Sequence, residues 1–352
     1  MIQMKGATPM YPNTTNRILS QLTDGIFPGV NFAFIEGDEI ETHTYGSASL
    51  VPTSEPLLDT TLFDVASLTK VIGTNSVILK LIEAGKLDID LPINHYLPAF
   101  KDERVTSRHL LTHTSDINPY IKNRDTLNKD DLRAELLLLK SGEAIGTKIA
   151  YTDTGTLLLG FLIEEIYKQP IQHVIKDVVL TPLGMTNSTF TPNLNLSIAA
   201  TENHPKRGVI RGAVHDPKAF VLGENCGSAG LFSTIEDCLI FSQMILNCGQ
   251  LPDGSTYLKE DTIHSLLQDW TPNHSLNRSL GWDLKATTDT KRPLLFHTGY
   301  TGTFLLLDPK DKSAFIFLSN RVHPVDDRVN YIEKRDHILE EYLIEKATIE
   351  KI

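Results

Sequence analysis

Cysteine is scarce in this chain. Cys226, Cys238 and Cys248 are the three among 352 residues. An odd number at wide spacing makes neither a disulfide framework nor a zinc site, and it fits a reducing cytoplasm. Basic charge is also short: 33 Lys and Arg stand against 44 Asp and Glu, a formal charge of -11. With no Lys/Arg-rich run, nucleic acid and anionic membrane are poor partners. No apolar run approaches membrane-spanning length. The opening "MIQMKGATPMYPNTT" lacks the apolar core of a secretory signal, so the cytoplasm is the expected location. Phosphate-cradling loops are missing too, because "GSAG" at 227–230 is not followed by Lys and Ser/Thr. We read it as close backbone packing beside a cleft. Repeats and low-complexity linkers are absent. What remains is an ordinary globular composition, 41% hydrophobic and 22% charged, long enough for one large or two ordinary domains.

The apolar patterning divides the chain. "GVNFAFIEGDEIETHTYGSASL" (29–50) reads as two strands joined at Gly37-Asp38. From Ala66 to about Ala84 the spacing of Leu68, Val71, Ile72, Ile78, Leu79 and Ile82 fits a helix that Gly85 stops. The middle is helical and loop-rich, with "TGTLLLGFLIEEIYK" and "IEDCLIFSQMILNCG" among its helices. "SLGWDL", "GTFLLLDP" and "SAFIFLSN" read as strands, and "RDHILEEYLIEKA" as a last helix. This pattern predicts an α+β fold. Antiparallel strands from both termini share one sheet, the first and last helices cover it, and a helical part fills the centre. We expect a single domain, 1–352, in which 1–84 and 280–352 form an α/β subdomain and 85–279 a helical one. The cleft between them is the natural site.

Three short segments carry candidate chemistry. Ser67 and Lys70 stand three apart at the head of the helical run. At that spacing a lysine amine reaches a serine hydroxyl one turn earlier. A base is what a weak alcohol nucleophile needs, and free N–H groups at a helix start suit a developing oxyanion. A surface Ser and Lys would look the same. "IAYTDTG" puts Tyr151 and Asp153 ahead of an apolar helix, either facing a cleft or as a packed Tyr with Asp153 as N-cap. "FHTGYTG" holds His297, Thr298 and Gly299 at the head of an apolar strand. There a small glycine lets a substrate approach the edge, unless the segment is an ordinary hairpin turn. His109 and His113 are four apart but lack the glutamate of a His-Glu-x-x-His zinc site, and we expect no metal.

Taken together, "SLTK", "YTD" and "HTG" resemble the motif set of the serine β-lactamase and penicillin-binding-protein superfamily. The likeness is to the branch with class C β-lactamases, D-Ala-D-Ala carboxypeptidases and serine esterases. It extends over roughly 29–324 through "HLLTHTSDI", "PLGMTNST" and "CGSAGLFSTIEDCLIF". The resemblance implies a β-lactamase-like fold with Ser67 as nucleophile. It implies Lys70 and Tyr151 as the proton-transfer groups, and the backbone N–H groups of Ser67 and Tyr300 as the oxyanion hole. His297 and Thr298 would orient the substrate. Three departures stand out. Asp153 occupies the place of an Asn, exchanging an amide donor for a carboxylate that only accepts. Close to Lys70 it would favour the protonated amine and weaken the base. Asp116 stands where Gly is usual. His297 replaces Lys, the pattern of the carboxypeptidase-like and esterase-like members, and removes a permanent cation.

The function expected from all this is a serine hydrolase forming an acyl-enzyme on Ser67. Its substrate would be a small-molecule ester, amide or β-lactam, and no cofactor is needed. The alternative is a binding or regulatory protein that keeps the fold but little chemistry, which Asp153 supports. The residues leave the physiological substrate and the oligomeric state open.

Overall fold

The computed structural model describes residues 9–349. Its centre is one antiparallel sheet of seven strands. From edge to edge these are Glu55–Pro56, Glu39–Ser49, Gly29–Glu36, Ser313–Ser319, Thr303–Asp308, Pro293–Gly299 and Asp283–Ala286. The junction of the two termini is the pairing of Gly29–Glu36 with Ser313–Ser319, in register from Val30 opposite Ser319 to Glu36 opposite Ser313. Both strands hold unbroken apolar runs, "FAFI" and "AFIFL", because the sheet is covered on both faces there. The α+β architecture expected from the patterning is the one observed.

One face of the sheet carries an aromatic layer of Phe32, Phe34, Phe304, Phe315 and Phe317. Phe304 and Phe317 stack with ring centroids 4.9 Å apart. Helix Arg328–Ile349 covers this layer as expected through Ile338, Leu339 and Tyr342. Its companion is helix Pro12–Thr23 rather than the helix near Ser67. That segment, "PNTTNRILSQLT", is too polar to announce itself by periodicity. Its Tyr11 cap offers no side-chain hydrogen bond, and the missing acceptor comes from across the sequence. Glu345 accepts from the N–H groups of Asn13 and Thr14 at 2.8 and 2.9 Å and from the Thr14 hydroxyl at 2.8 Å. A carboxylate there also suits the positive end of the helix dipole.

The other face, with Ala33, Ile35, Leu305 and Ile316, shares one continuous core with the helices. Helix Ile235–Leu246, expected among the central helices, packs directly on the sheet through this core. Helix Thr154–Tyr167 is buried along nearly its whole length. The run predicted over 66–84 is helical from Leu68, with a π-helical segment Lys70–Asn75 followed by an α-helix Ser76–Glu83. Gly85 ends it at φ +64°, a conformation glycine adopts without strain. Such π segments concentrate at functional sites. The "GSAG" stretch is tightly packed, as read from sequence. A Cβ on Gly227 would come within 2.8 Å of Thr74 Oγ1 and 3.3 Å of the Gly160 Cα.

Glu345→Ala removes a charged acceptor from three donors. We expect a loss of about 2 kcal/mol, the scale for hydrogen bonds to a charged group, read as a lower urea midpoint. Amide exchange across residues 12–23 should accelerate while that of the central strands does not.

Candidate active site

The site begins at a turn. Strand Phe63–Asp64 ends in Val65, and Ala66 then takes φ +47°, outside the usual range for a residue with a side chain. Asp64 holds this turn. Its buried carboxylate accepts from the Ala66 N–H at 2.9 Å and from the His215 N–H at 2.7 Å. Ser67 is thereby lifted into a cleft of ≈ 520 Å³. One helical step later Lys70 is buried beneath it. The Lys70 Nζ donates to Ser67 Oγ at 2.7 Å, to Asp153 Oδ1 at 2.8 Å and to the Ser228 carbonyl at 3.0 Å.

A second wall comes from the start of helix Thr154–Tyr167. Asp153 sits at the N-cap position, but its side chain makes no cap hydrogen bond. It turns instead to two ammonium groups, Lys70 on Oδ1 and Lys218 on Oδ2, each at 2.8 Å. The Tyr151 ring packs on His113, centroids 4.5 Å apart, with Lys70 Nζ 5.6 Å from the ring centre. Its hydroxyl makes no hydrogen bond among the described residues.

The third wall is the turn after strand Pro293–Gly299. His297, Thr298 and Gly299 lie at the tail of this strand, not at the head of one as the sequence suggested; the next begins at Thr303. The reason for Gly299 also changes. It is buried, and a Cβ there would stand 2.1 Å from Thr303 Oγ1 and 2.4 Å from the Val65 carbonyl. Glycine is required for the contact between this turn and the Ser67 turn. Thr301 Oγ1 donates to the Asp64 carbonyl at 2.6 Å and Thr303 Oγ1 to the Val65 carbonyl at 3.1 Å. Tyr300 follows with its ring half exposed, and Arg321 grips its carbonyl from Nε at 2.9 Å. Ser67, Tyr151, Asp153, His297 and the residues through Tyr300 all line the cleft, with Lys70 below its floor.

The electrostatics follow from this packing. Burial pushes the Lys70 amine down, but the charges of Tyr151 and Asp153 outweigh it and hold its pKa above the ordinary lysine value. Burial pushes Asp153 up, and Lys70 and Lys218 together bring it well below the carboxylate range. His297 is driven well below its usual value by burial, then by Lys70 and Arg278. His113 is lowered the same way, by burial and then Arg278 and Lys70. Both imidazoles are neutral at physiological pH. Both ring nitrogens of His297 are buried without a hydrogen-bond partner among the described residues.

With this geometry in place, comparison with known proteins is decisive. The family model described as Beta-lactamase matches residues 15–339. The chain belongs to the Beta-lactamase family. It is 31% identical to a candidate D-alanyl-D-alanine carboxypeptidase of Escherichia coli (strain K12), over 90% of this chain and 83% of that one. Among solved structures, a class C beta-lactamase superposes with TM-score 0.74 at 21% identity, covering 96% and 98% of the two chains. EstCE1, a hydrolase with promiscuous acyltransferase activity, gives TM-score 0.74 at 18% identity over 93% and 97%. At these identities the structural likeness speaks for the fold.

Several residues of the site escaped sequence reasoning. Lys218 is one; its signal was a cation in the first turn of helix Pro217–Leu222, where the dipole disfavours it. Arg278 is another. It is buried, lines the cleft, pairs with Asp283 at 2.8 Å and sits 5.6 Å from the Tyr151 ring centre. It places a permanent cation in the cleft that the His297 exchange had seemed to remove. Asp64 is the third, in an unremarkable "LFDVA". The family departures are also explained locally. Asp116 adopts φ +50°, accepts from the Ala144 N–H at 2.9 Å and pairs with Lys148 at 2.9 Å. His109 closes a capping box with Thr106, while His113 packs on Tyr151, so the two histidines have separate structural jobs. His323 accepts from the Leu50 N–H at 2.9 Å, a structural role. Among the described residues no helix is long and apolar enough to cross a membrane.

Asp64→Asn tests the turn. An amide presents one acceptor where two N–H donors need two, so one donor is left buried and unpaired. We expect a loss of about 1–3 kcal/mol in chemical denaturation. Ser67 should also react with a fluorophosphonate at least ~10-fold more slowly, because the displaced turn no longer presents its hydroxyl and N–H.

Proposed function

We propose that this protein is a serine hydrolase that cleaves an ester or amide through an acyl-enzyme on Ser67. The observation that carries the reading is the 2.7 Å contact between Lys70 Nζ and Ser67 Oγ. It is within reach for proton transfer, in a cleft that Ser67 and Tyr300 both line. Lys70 in its neutral form accepts the hydroxyl proton as Oγ attacks the carbonyl carbon. The Ser67 and Tyr300 N–H groups stabilise the oxyanion. The proton then passes by way of Tyr151, whose hydroxyl is uncommitted, to the departing oxygen or nitrogen. Water enters by the reverse proton path and releases the acid from Ser67. Neutral His297, with unpartnered ring nitrogens, and Thr298 orient the substrate. Arg278 stands ready for a carboxylate on it.

Support for a hydrolase comes from the family and from the names of a carboxypeptidase relative and a hydrolase neighbour. The binding-protein alternative draws on one feature, the strong hold of Asp153 on Lys70, which keeps the amine protonated.

The test is covalent. Incubation with a fluorescent penicillin and a fluorophosphonate, followed by intact mass, should give an adduct that Ser67→Ala abolishes without unfolding the protein. Turnover of a nitrophenyl ester by a clean Ser67→Ala preparation would refute the assignment. Failure of both probes on the wild type would favour the binding role. Lys70→Ala and Tyr151→Phe should each slow acylation at least ~100-fold, the lower range for a lost acid–base group.

A further inference from the structure

The Asp153 carboxylate is shared evenly. Lys70 takes Oδ1 and Lys218 takes Oδ2, each at 2.8 Å, and Lys218 also approaches Asp216 Oδ2 at 3.4 Å. Lys218 is not among the residues lining the cleft, whereas Asp153 is. The lysine holds the carboxylate oxygen that Lys70 does not, so it acts on the base through Asp153. An ionised carboxylate alone beside a lysine raises its pKa by roughly 1–3 units. For a lysine that must become neutral to act, that is a heavy load. A cation on the far oxygen withdraws part of it.

We propose that Lys218 is a positioning residue of the hydrolytic site, the counter-ion that allows an aspartate to stand beside the base. The proposal rests on the acyl-enzyme reading above. Together Asp153 and Lys218 supply in two side chains what an asparagine amide supplies in one: an oxygen that accepts from Lys70, next to N–H donors, with no net charge. The other charged groups facing this pair are few. Tyr151 is on its own segment, and Asp216 precedes the Lys218 helix. Arg124 acts on Lys218, and Arg278 lies across the cleft with the neutral His113 and His297.

The sign of each substitution follows. An anion near Lys70 raises its apparent pKa, and a cation lowers it. Acylation needs the neutral amine, so its acid limb moves with that pKa. The measurement is the rate of Ser67 labelling by a fluorophosphonate across pH. The variants are Lys218→Met, Lys218→Gln, Lys218→Arg, Asp153→Asn and the Asp153→Asn/Lys218→Met double. Either neutral Lys218 variant should move the acid limb up by about one pH unit or more. Asp153→Asn should move it down. The double variant, electrically equivalent to the wild type, should fall back near it, as should Lys218→Arg. An unmoved limb in both neutral variants would overturn the proposal. So would a double variant as displaced as Lys218→Met, because a packing role gives no reason for neutral pairs to behave alike. A wild type that forms no Ser67 adduct at any pH would fail the acyl-enzyme reading itself and take the inference with it. That outcome is distinct from an adduct whose pH limb ignores Lys218.

Discussion

The site depends on a single buried carboxylate. Asp64 is 1% exposed, and its side chain and carbonyl tie together three stretches of chain that are far apart in sequence. Its two carboxylate oxygens take the N–H groups of Ala66 and His215, and its carbonyl takes the hydroxyl of Thr301. The first bond holds Ala66 in a left-handed conformation that costs energy for any residue with a Cβ. The third clamps the 299–303 turn against it, with Gly299 allowing contact too close for a side chain. Ser67 and Tyr300, the oxyanion donors of the proposed mechanism, are placed by these contacts. Neither belongs to a regular element that could place it alone.

What was legible in the sequence follows the same division. Short contiguous motifs were readable. Ser67 and Lys70 lie one turn apart on one helix, Tyr151 and Asp153 lie at a helix start, and His297 to Tyr300 lie at a strand end. In each case the order of the residues made the motif readable through its resemblance to the family, although the strand boundary at His297 was misread. The central pair of strands was readable too, because "FAFI" and "AFIFL" are short, apolar and rich in aromatics; strand Pro293–Gly299 was missed, and "SLGWDL" reaches strand Asp283–Ala286 only at its last two residues. Helix Pro12–Thr23 was not, since its cap is Glu345 from the opposite end of the chain. Asp64, Lys218 and Arg278 were not, because an Asp, a Lys and an Arg in loops or at helix starts are ordinary surface residues until tertiary contacts bury them. The misplacement of His-Thr-Gly at a strand's head has a local cause. "PLLFHTGYTGTFLLLDP" is apolar on both sides of the motif, and only the tight turn at Gly302, φ +105°, shows where one strand stops.

The buried charges deserve an energetic reading. Lys70 is 3% exposed, so its ammonium has lost nearly all its water. Three oxygens replace that shell: the Ser67 hydroxyl, the Asp153 carboxylate and the Ser228 carbonyl. A buried ion pair seldom gains net stability over a well-packed apolar pair, yet losing one partner is costly, roughly 3–5 kcal/mol. The chain thus gives up stability to keep a titratable amine against a serine. The π segment at Lys70–Asn75 and the close approach of Gly227 to Thr74 fit the same picture, with backbone regularity yielding to the geometry around one amine.

The two histidines of the cleft bear on how that amine works. An imidazole near its ordinary pKa would be the obvious proton carrier at neutral pH. Here both are removed from that role by their surroundings. His113 and His297 are buried, and each faces the cations of Lys70 and Arg278, so charging either would add a third positive group to a dry site. They remain neutral walls. One supports the Tyr151 ring, and the other lines the substrate space. In the proposed mechanism the groups left to move a proton are Lys70 and Tyr151, with Lys70 Nζ 5.6 Å from the Tyr151 ring centre. Asp153 sets how tightly the lysine keeps its proton, and Lys218 sets how much of Asp153 the lysine feels. In the proposed mechanism the pH behaviour of this cleft is therefore governed by a row of four side chains, Tyr151, Lys70, Asp153 and Lys218, in which only the first two move the proton.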